Sequence, residues 1–446
     1  MHRKDLDRRT FVGGLAAAGA LAAVPRELHA LADRVQPSQK LRIACIGVGG
    51  MGYNDVKGVS SEELVAFADV DWKSAERAFR EFPNARRYKD FREMLEKERN
   101  NIDAVTVSTP DHVHAAAAMM ALKMGKHVYT QKPLARTIGE VRALKAEAAR
   151  RPKQATQMGN QGHANEGIRL IREWVEAGLI GPVRRVECWT NRPIWPQAIN
   201  RPIDMQYAPA TLDWNLWLGP APERPYHSRY APFNWRGWWD FGTGAMGDMA
   251  CHIMDAAYWG LGLKYPSRIT PESTALYAET APASERITYE FPSIGDRAAV
   301  TLTWRDGSLF PPKPEGWPEE QDWPFDTTGG QLWIGDKGML IAGTYAENPR
   351  LLDAAAAEAV KNTPLPQKYP RTEGVYKEWL SACRAGTQPG SNFAGYAGPM
   401  TEMIVTGCLA VRMGRTIEMD PDTGAIKNLT PPSEWVNPTY RAGFSL

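Results

Sequence analysis

The stretch "LRIACIGVGGMG", residues 41 to 52, restricts the fold more than any other part of the chain. Residues 41–46, apolar but for Arg42, make a run of strand length, and Gly47-x-Gly49-x-x-Gly52 follows at once. A second apolar run, "ELVAFADV", delivers Asp69 seventeen residues after Gly52. Residues without a Cβ permit a tight turn and let backbone N–H groups approach a pyrophosphate closely. A helix starting there adds partial positive charge. An acid at this distance can accept hydrogen bonds from ribose hydroxyls. The spacing therefore predicts a dinucleotide site built from Gly47, Val48, Gly49, Gly50, Met51, Gly52 and Asp69. A carboxylate repels a 2′-phosphate, which favours NAD; nearby Lys73 leaves NADP possible.

The grammar that follows is alternating. "IDAVTVSTP" reads as a strand, "DHVHAAAAMMALKMG" as a helix closed by Gly125, and "KHVYT" as a strand. Thr137-x-x-Glu140 is a capping box opening another helix. Such alternation predicts a doubly wound parallel sheet over residues 40–158. Beyond it the pattern changes. A helix, "EGIRLIREWVEAGLIG", and a strand, "VRRVECW", precede a Trp- and Pro-rich loop over 189–240 that holds seven of the sixteen tryptophans. "TALYAET", "RITYEF", "AVTLTW", "QLWIG" and "GMLIAG" then read as strands, the last two joined as a hairpin through Asp336-Lys337. The predicted fold class is α/β: a doubly wound parallel sheet, then a C-terminal region (159–446) on a mainly antiparallel sheet.

Arg8-Arg9, Phe11, a short apolar run from Gly13 to Val24 and Ala30-Leu31-Ala32 resemble a twin-arginine export signal over residues 1–32. The run is too short to span a bilayer. Removing it takes five basic residues (Arg3, Lys4, Arg8, Arg9, Arg26) and three acidic ones (Asp5, Asp7, Glu27) from totals of 53 and 51, which leaves the two signs equal. A near-neutral chain carries no electrostatic footprint for nucleic acid or anionic membrane. Export implies a periplasmic or other extracytoplasmic location, and a cofactor loaded before transport. The five cysteines are scattered without a CxxC and read as apolar core. No pattern indicates a metal site; His112 and His114, two apart, do not share a helix face.

Two stretches carry candidate chemistry. In "HVYTQKPLART" a strand ends in Gln131-Lys132-Pro133, and Pro133 restricts Lys132 to extended backbone. Thr109-Pro110 ends a neighbouring strand, where such sheets bind ligands, with His112 close behind. In "NWRGWWDFGTGAMGDMACHIMD" a Gly-rich loop runs into a helix that puts Asp248 and His252 on one face, with Asp255 one turn further as another partner for the imidazole. A His beside a carboxylate suits a general base for an alcohol. Asn160, Gln161 and His163 follow the join between the domains; Arg236, Trp238 and Trp239 offer aromatic faces and a donor for a sugar.

Taken in order, "GVGGMG", "ADVD", "STPDHVHA", "YTQKPLART" and Asp248-x-x-x-His252 resemble the Gfo/Idh/MocA family of nucleotide-dependent oxidoreductases. The resemblance is dense in the N-terminal half. It implies an N-terminal Rossmann domain and a C-terminal α/β domain on an open, mainly antiparallel sheet, with nicotinamide bound between them and Thr109, Pro110, His112, Gln131 and Lys132 beside it. It also implies a sugar or polyol substrate, catalysis by Lys132, Asp248 and His252, and a homodimer or homotetramer formed through the open sheet. Gln131 stands where the family usually has Glu, which removes a negative neighbour of Lys132. Some relatives are NAD-dependent glycoside hydrolases that need a further acid/base; Tyr207, Tyr226, His227 and Tyr230 of the variable loop are candidates.

Overall fold

A computed structural model describes residues 39–446 other than 315, 316, 318–322 and 324; the leader read at 1–32 falls outside the described residues. From Arg42 the chain alternates strictly: β1 (Arg42–Ile46), α1 (Met51–Gly58), β2 (Glu63–Ala68), α2 (Trp72–Glu81), β3 (Arg86–Tyr88), α3 (Phe91–Lys97), β4 (Ala104–Val107), α4 (Asp111–Lys123), β5 (His127–Thr130), α5 (Ile138–Ala149) and β6 (Thr156–Met158). The six strands pair in parallel in the order β3-β2-β1-β4-β5-β6. β4 and β5 are buried along their whole length, as strands covered on both faces must be. Asp71 and Asp90 cap α2 and α3, and Thr137 with Glu140 closes the capping box that starts α5.

The second half comprises α6 (Glu166–Glu176), β7 (Val183–Thr190), α7 (Trp214–Leu218), α8 (Gly244–Ile253), α9 (Asp255–Gly260), β8 (Arg268–Ser273), β9 (Glu285–Phe291), β10 (Val300–Arg305), β11 (Gly329–Gly335), β12 (Met339–Ala342), β13 (Arg350–Leu351), α10 (Ala354–Asn362), α11 (Val375–Ala385), α12 (Gly398–Met413) and β14 (Ile417–Glu418). Its sheet runs β13-β12-β11-β7-β10-β9-β8-β14, and among the described residues β7–β10 is the one parallel pair in it. One strand is displaced from its expected place: "TALYAET" is a loop, and the strand lies before it at Arg268–Ser273. Pro271 hid it. β14 pairs with Arg268 and Ile269 alone, so Pro271 sits where the outer edge needs no N–H donor.

α12 packs against both α5 and α8, tying the two halves together through one apolar core. The chain after β14 returns to the N-terminal half: Tyr440 donates to Glu140 Oε1 at 2.6 Å, and the Phe444 ring lies 6.4 Å from that of Phe91. On β7, β11 and β12 the apolar sheet face is covered from within the chain. There Trp189, Leu332 and Ile341 are covered by Phe310, Trp323 and Phe325, with Trp189 and Phe325 stacked at 5.0 Å. On the neighbouring strands Arg305 pairs with Glu187 and Arg286 with Glu272. No described helix is long and apolar enough to cross a membrane. All five cysteines are buried free thiols.

Candidate active site

The C-terminal ends of β1, β4 and β5 lie side by side in the parallel sheet, so the glycine turn, Thr109-Pro110 and Gln131-Lys132 open onto the same edge. In the β1–α1 turn Gly47 has φ of +74° and Gly50 of +53°. A Cβ on Gly52 would stand 2.1 Å from the Gly47 carbonyl oxygen, whereas one on exposed Gly50 would meet nothing within 4 Å. The turn is thus closed behind and open in front. No side chain caps α1; the Gly52 and Tyr53 N–H groups turn back onto the Gly49 and Gly50 carbonyls, so what the helix start offers an anion is the positive end of its dipole. Asp69 pins the turn: Oδ2 accepts from the N–H of Val48 at 2.9 Å and of Gly49 at 3.2 Å, and Oδ1 from that of Asp71 at 2.9 Å. Burial pushes Asp69 up against the pull of these three bonds. An uncapped helix start, glycines at the turn and a carboxylate after β2 fit an NAD pyrophosphate and ribose. Gly52→Ala is expected to weaken NADH binding by about tenfold or more, read by fluorescence titration, because the Gly47 carbonyl has to move.

Lys132 lies just beyond the end of β5 and is joined to Pro133 by a cis bond; its ammonium donates to the Asp248 carboxylate and to the Asp248 carbonyl, each at 2.9 Å. Arg236 reaches the same carboxylate, Nε to Oδ1 at 3.2 Å, from a short 3-10 turn at Asn234–Gly237. Its guanidinium is framed by the Trp195, Phe233 and Trp235 rings. Burial alone would raise Asp248; Lys132 and Arg236 override it and hold the carboxyl at about 2. His252, one turn on in α8, is pushed down to about 3 by burial and the Lys132 charge, against Asp248. Its Nδ1 is buried without a hydrogen-bond partner among the described residues. At neutral pH Asp248 is therefore a carboxylate and His252, one turn on, a neutral imidazole.

Two neighbours escaped the sequence reading. Asp111, at the start of α4, accepts from the Thr243 hydroxyl at 2.9 Å and is pushed up to about 7, by burial first and then by Asp248, against the pull of Lys132. Its signal was present in "STPDHVHA", where the histidines drew attention instead. Tyr345, in the loop after β12, stands edge-on to His252 with ring centroids 4.9 Å apart; nothing local in the sequence links the two.

Several expected contacts go elsewhere. His112 is buried; its ring nitrogens lie 2.9 Å from the Trp217 carbonyl and 3.3 Å from that of Phe241, so it anchors the aromatic loop rather than facing a nucleotide. His114 is bound the same way, to the Pro133 and Thr109 carbonyls. Asp255 does not orient His252. It collects Asn160 Nδ2 at 3.0 Å, His163 Nδ1 at 2.9 Å and the Tyr396 hydroxyl at 2.5 Å, which turns Asn160 and His163 into the core and away from a substrate. Gln161 beside them stays partly exposed. Trp238 is fully buried with Nε1 on the Arg229 carbonyl, so it packs the loop and offers no face to a sugar. Gln131 donates its amide to both oxygens of Asp55, at 2.9 and 3.0 Å, and so packs against α1 rather than opening to a nicotinamide. The carboxylate missing from the strand thus comes from α1, where Ser108 and Tyr376 also bind it and burial pushes it up to about 6. Of the loop's acid/base candidates, Tyr230 is buried among aromatic rings, His227 bonds Asp204 and Gln206, and Tyr207 is 97% exposed. No group of three or more His, Cys, Asp or Glu among the described residues could hold a metal ion.

Residues 41–159 match the oxidoreductase family with an NAD-binding Rossmann fold, and residues 165–302 match its C-terminal alpha/beta domain. The chain belongs to the Gfo/Idh/MocA oxidoreductase family. Residues 41–159 are that family's NAD-binding Rossmann domain. It is similar to the inositol 2-dehydrogenase/D-chiro-inositol 3-dehydrogenase of Lacticaseibacillus casei, 32% identical over 146 residues, 32% of this chain and 42% of that protein. It is also similar to the alpha-N-acetylgalactosaminidase of Shewanella oneidensis, 28% identical over 177 residues, 37% of this chain and 38% of that protein. The matches thus span less than half the length of these two relatives. In fold the chain resembles the WlbA dehydrogenase of Bordetella pertussis, solved with NADH and UDP-GlcNAcA: TM-score 0.59, 16% identity, 86% of this chain and 99% of that one.

Proposed function

We propose that this protein is an NAD-dependent dehydrogenase acting on a hydroxyl-bearing carbon of a sugar, polyol or glycoside. The observation that carries this reading is the meeting of Lys132, Asp248 and His252 on the edge where the glycine turn opens. The nicotinamide, when bound, supplies the hydride acceptor. The chain's own groups do the rest. The Lys132 ammonium donates to the alcohol oxygen and stabilises its developing negative charge. Neutral His252 takes the hydroxyl proton as the carbon loses its hydride, so the alcohol leaves as a carbonyl compound. Asp248 keeps the ammonium aimed, and Arg236 keeps Asp248 ionised and fixed. The inositol dehydrogenase relative supports a polyol-like substrate.

The similarity to an alpha-N-acetylgalactosaminidase favours a second reading, a redox-neutral glycoside hydrolase that oxidises, eliminates, hydrates and reduces in turn. Tyr345 beside His252 would be the added acid/base. Incubation with NAD and a panel of polyols, sugars and aryl glycosides separates the two. Lasting NADH absorbance is expected for the dehydrogenase; aglycone release without net NADH would replace it with the hydrolase. Sugar binding with neither outcome would sink both. We further propose export by the twin-arginine signal, checked by cell fractionation after Arg8→Lys/Arg9→Lys, and assembly as a homodimer or homotetramer, checked by light scattering.

A further inference from the structure

A second cavity, of about 30 Å³, lies between the segment that follows Lys132 and the start of α8. Arg136, Trp239, Thr243, Cys408, Arg412 and Trp435 are among its walls, and no carboxylate lines it. Three N–H groups there are buried and without a partner among the described residues: Arg136 Nε, Trp239 Nε1 and Arg412 Nε. Trp239 is 6% exposed. Arg136 is held in place by donating Nη1 to the Trp239 carbonyl at 2.6 Å, and the Arg412 guanidinium lies 4.0 Å from the Trp435 ring centroid. Burial, reinforced by the charge of Arg136, pushes Arg412 down to about 10 despite Asp240.

The nearby carboxylates are committed elsewhere. Asp240 pairs with Arg224, Glu279 with Arg201 and Arg224, and Glu140 with Thr137 and Tyr440. The walls therefore bring together two guanidinium groups and an indole N–H, all donors, with no carboxylate among the lining residues. A water molecule has two lone pairs for three donors and neutralises neither cation. A volume of this size admits one small ion and excludes a sugar or a nucleotide phosphate chain.

We propose that this cavity binds a small inorganic monoanion of halide size, received by Arg136, Trp239 and Arg412. The bound ion would join three segments. Arg136 is four residues beyond Lys132, Thr243 immediately precedes the helix that carries Asp248 and His252, and Arg412 lies in the last turn of α12. Binding does not depend on the reaction proposed above, so its test stands apart from turnover.

Crystals of the full chain grown in sodium bromide should give an anomalous peak within hydrogen-bond reach of the three N–H groups. In solution, chloride at fixed ionic strength should raise Tm saturably where gluconate, too large for the cavity, does not. Trp239→Phe keeps the ring and deletes the N–H; it should weaken the apparent chloride affinity about tenfold. Arg412→Lys, which keeps the charge and loses Nε, serves if the first variant misfolds. A solvent-only anomalous map, an equal response to gluconate, or an unchanged chloride response in the folded variants would overturn the proposal.

Discussion

Lys132→Met should lower kcat by about a thousandfold or more while the protein stays folded and still binds NADH. The size of the loss follows from what the ammonium does. A charged donor aimed at a developing oxyanion in a water-poor site contributes roughly a hundred- to a thousandfold in rate. Lys132 also holds the Asp248 carboxylate in its place beside His252. Folding should survive, because Arg236 remains on Asp248 after the lysine is gone, so no buried charge is left unpaired. Arginine is no rescue: its planar fork cannot occupy the position of a compact ammonium. The pH profile adds a separate check. Burial and the lysine charge disfavour the imidazolium form of His252, so the neutral base persists well below the ordinary imidazole range. The acid limb of kcat/KM should therefore fall at lower pH than a free histidine would give. In Lys132→Met, measured on whatever activity remains, it should move up. A variant that retains near-normal kcat, or that loses NADH binding together with turnover, would remove Lys132 from the role assigned to it.

The parts that local physics dictates were the parts legible in the sequence. A strand, three glycines and an acid at fixed spacing can fold in few ways, and the turn around Gly47 and Gly52 leaves no room for a Cβ. The Asp248–His252 pair was readable because four residues bring side chains to one helix face. Its lysine partner, 116 positions away, was reachable only through the family resemblance. What failed was direction. Asn160, His163 and Asp255 are polar residues close to the crevice in sequence, yet they satisfy one another inside the core. His112 likewise finds backbone carbonyls of the long loop. Buried polar groups take whichever partner tertiary packing supplies, and composition carries no record of it. The aromatic loop misled for the same reason: Trp214, Trp217, Tyr230 and Trp238 stack on one another to form their own small core. Tyr345 could not be found, since it meets His252 only when the loop after β12 folds back over α8.

Glu285→Gln/Asp306→Asn should flatten much of the loss of stability that the wild-type protein suffers as pH rises. Glu285 begins β9 and Asp306 follows β10, and both carboxyls are buried against each other. Asp306 Oδ1 accepts from the Glu285 N–H at 3.0 Å and Oδ2 from the indole of Trp304 at 3.1 Å; Glu285 Oε2 has no partner among the described residues. Burial and the neighbouring carboxyl raise Glu285, and burial pushes Asp306 up to about 7. In the unfolded chain both ionise in the ordinary carboxylate range. The pair thus contributes stability that is fully present below that range and is lost as pH climbs through the raised folded values. Each proton that the folded pair keeps and the unfolded chain has lost costs about 1.4 kcal/mol per pH unit. Asp55 and Asp111, both raised, tilt the wild-type curve the same way, so the informative quantity is the difference between the two proteins. Asp248, held low, acts in the opposite sense and only under acid conditions. Urea unfolding at about pH 5 and about pH 8 should show the variant losing several kcal/mol less than the wild type between the two. The amides keep the shape of the pair and remove its proton; Asp306→Asn gives up one of the two hydrogen bonds that the carboxyl accepts, a loss that is the same at both pH values. Parallel curves for the two proteins would mean that the pair is ionised and paired in some other way, and that the alkaline sensitivity belongs to Asp111 and Asp55 instead.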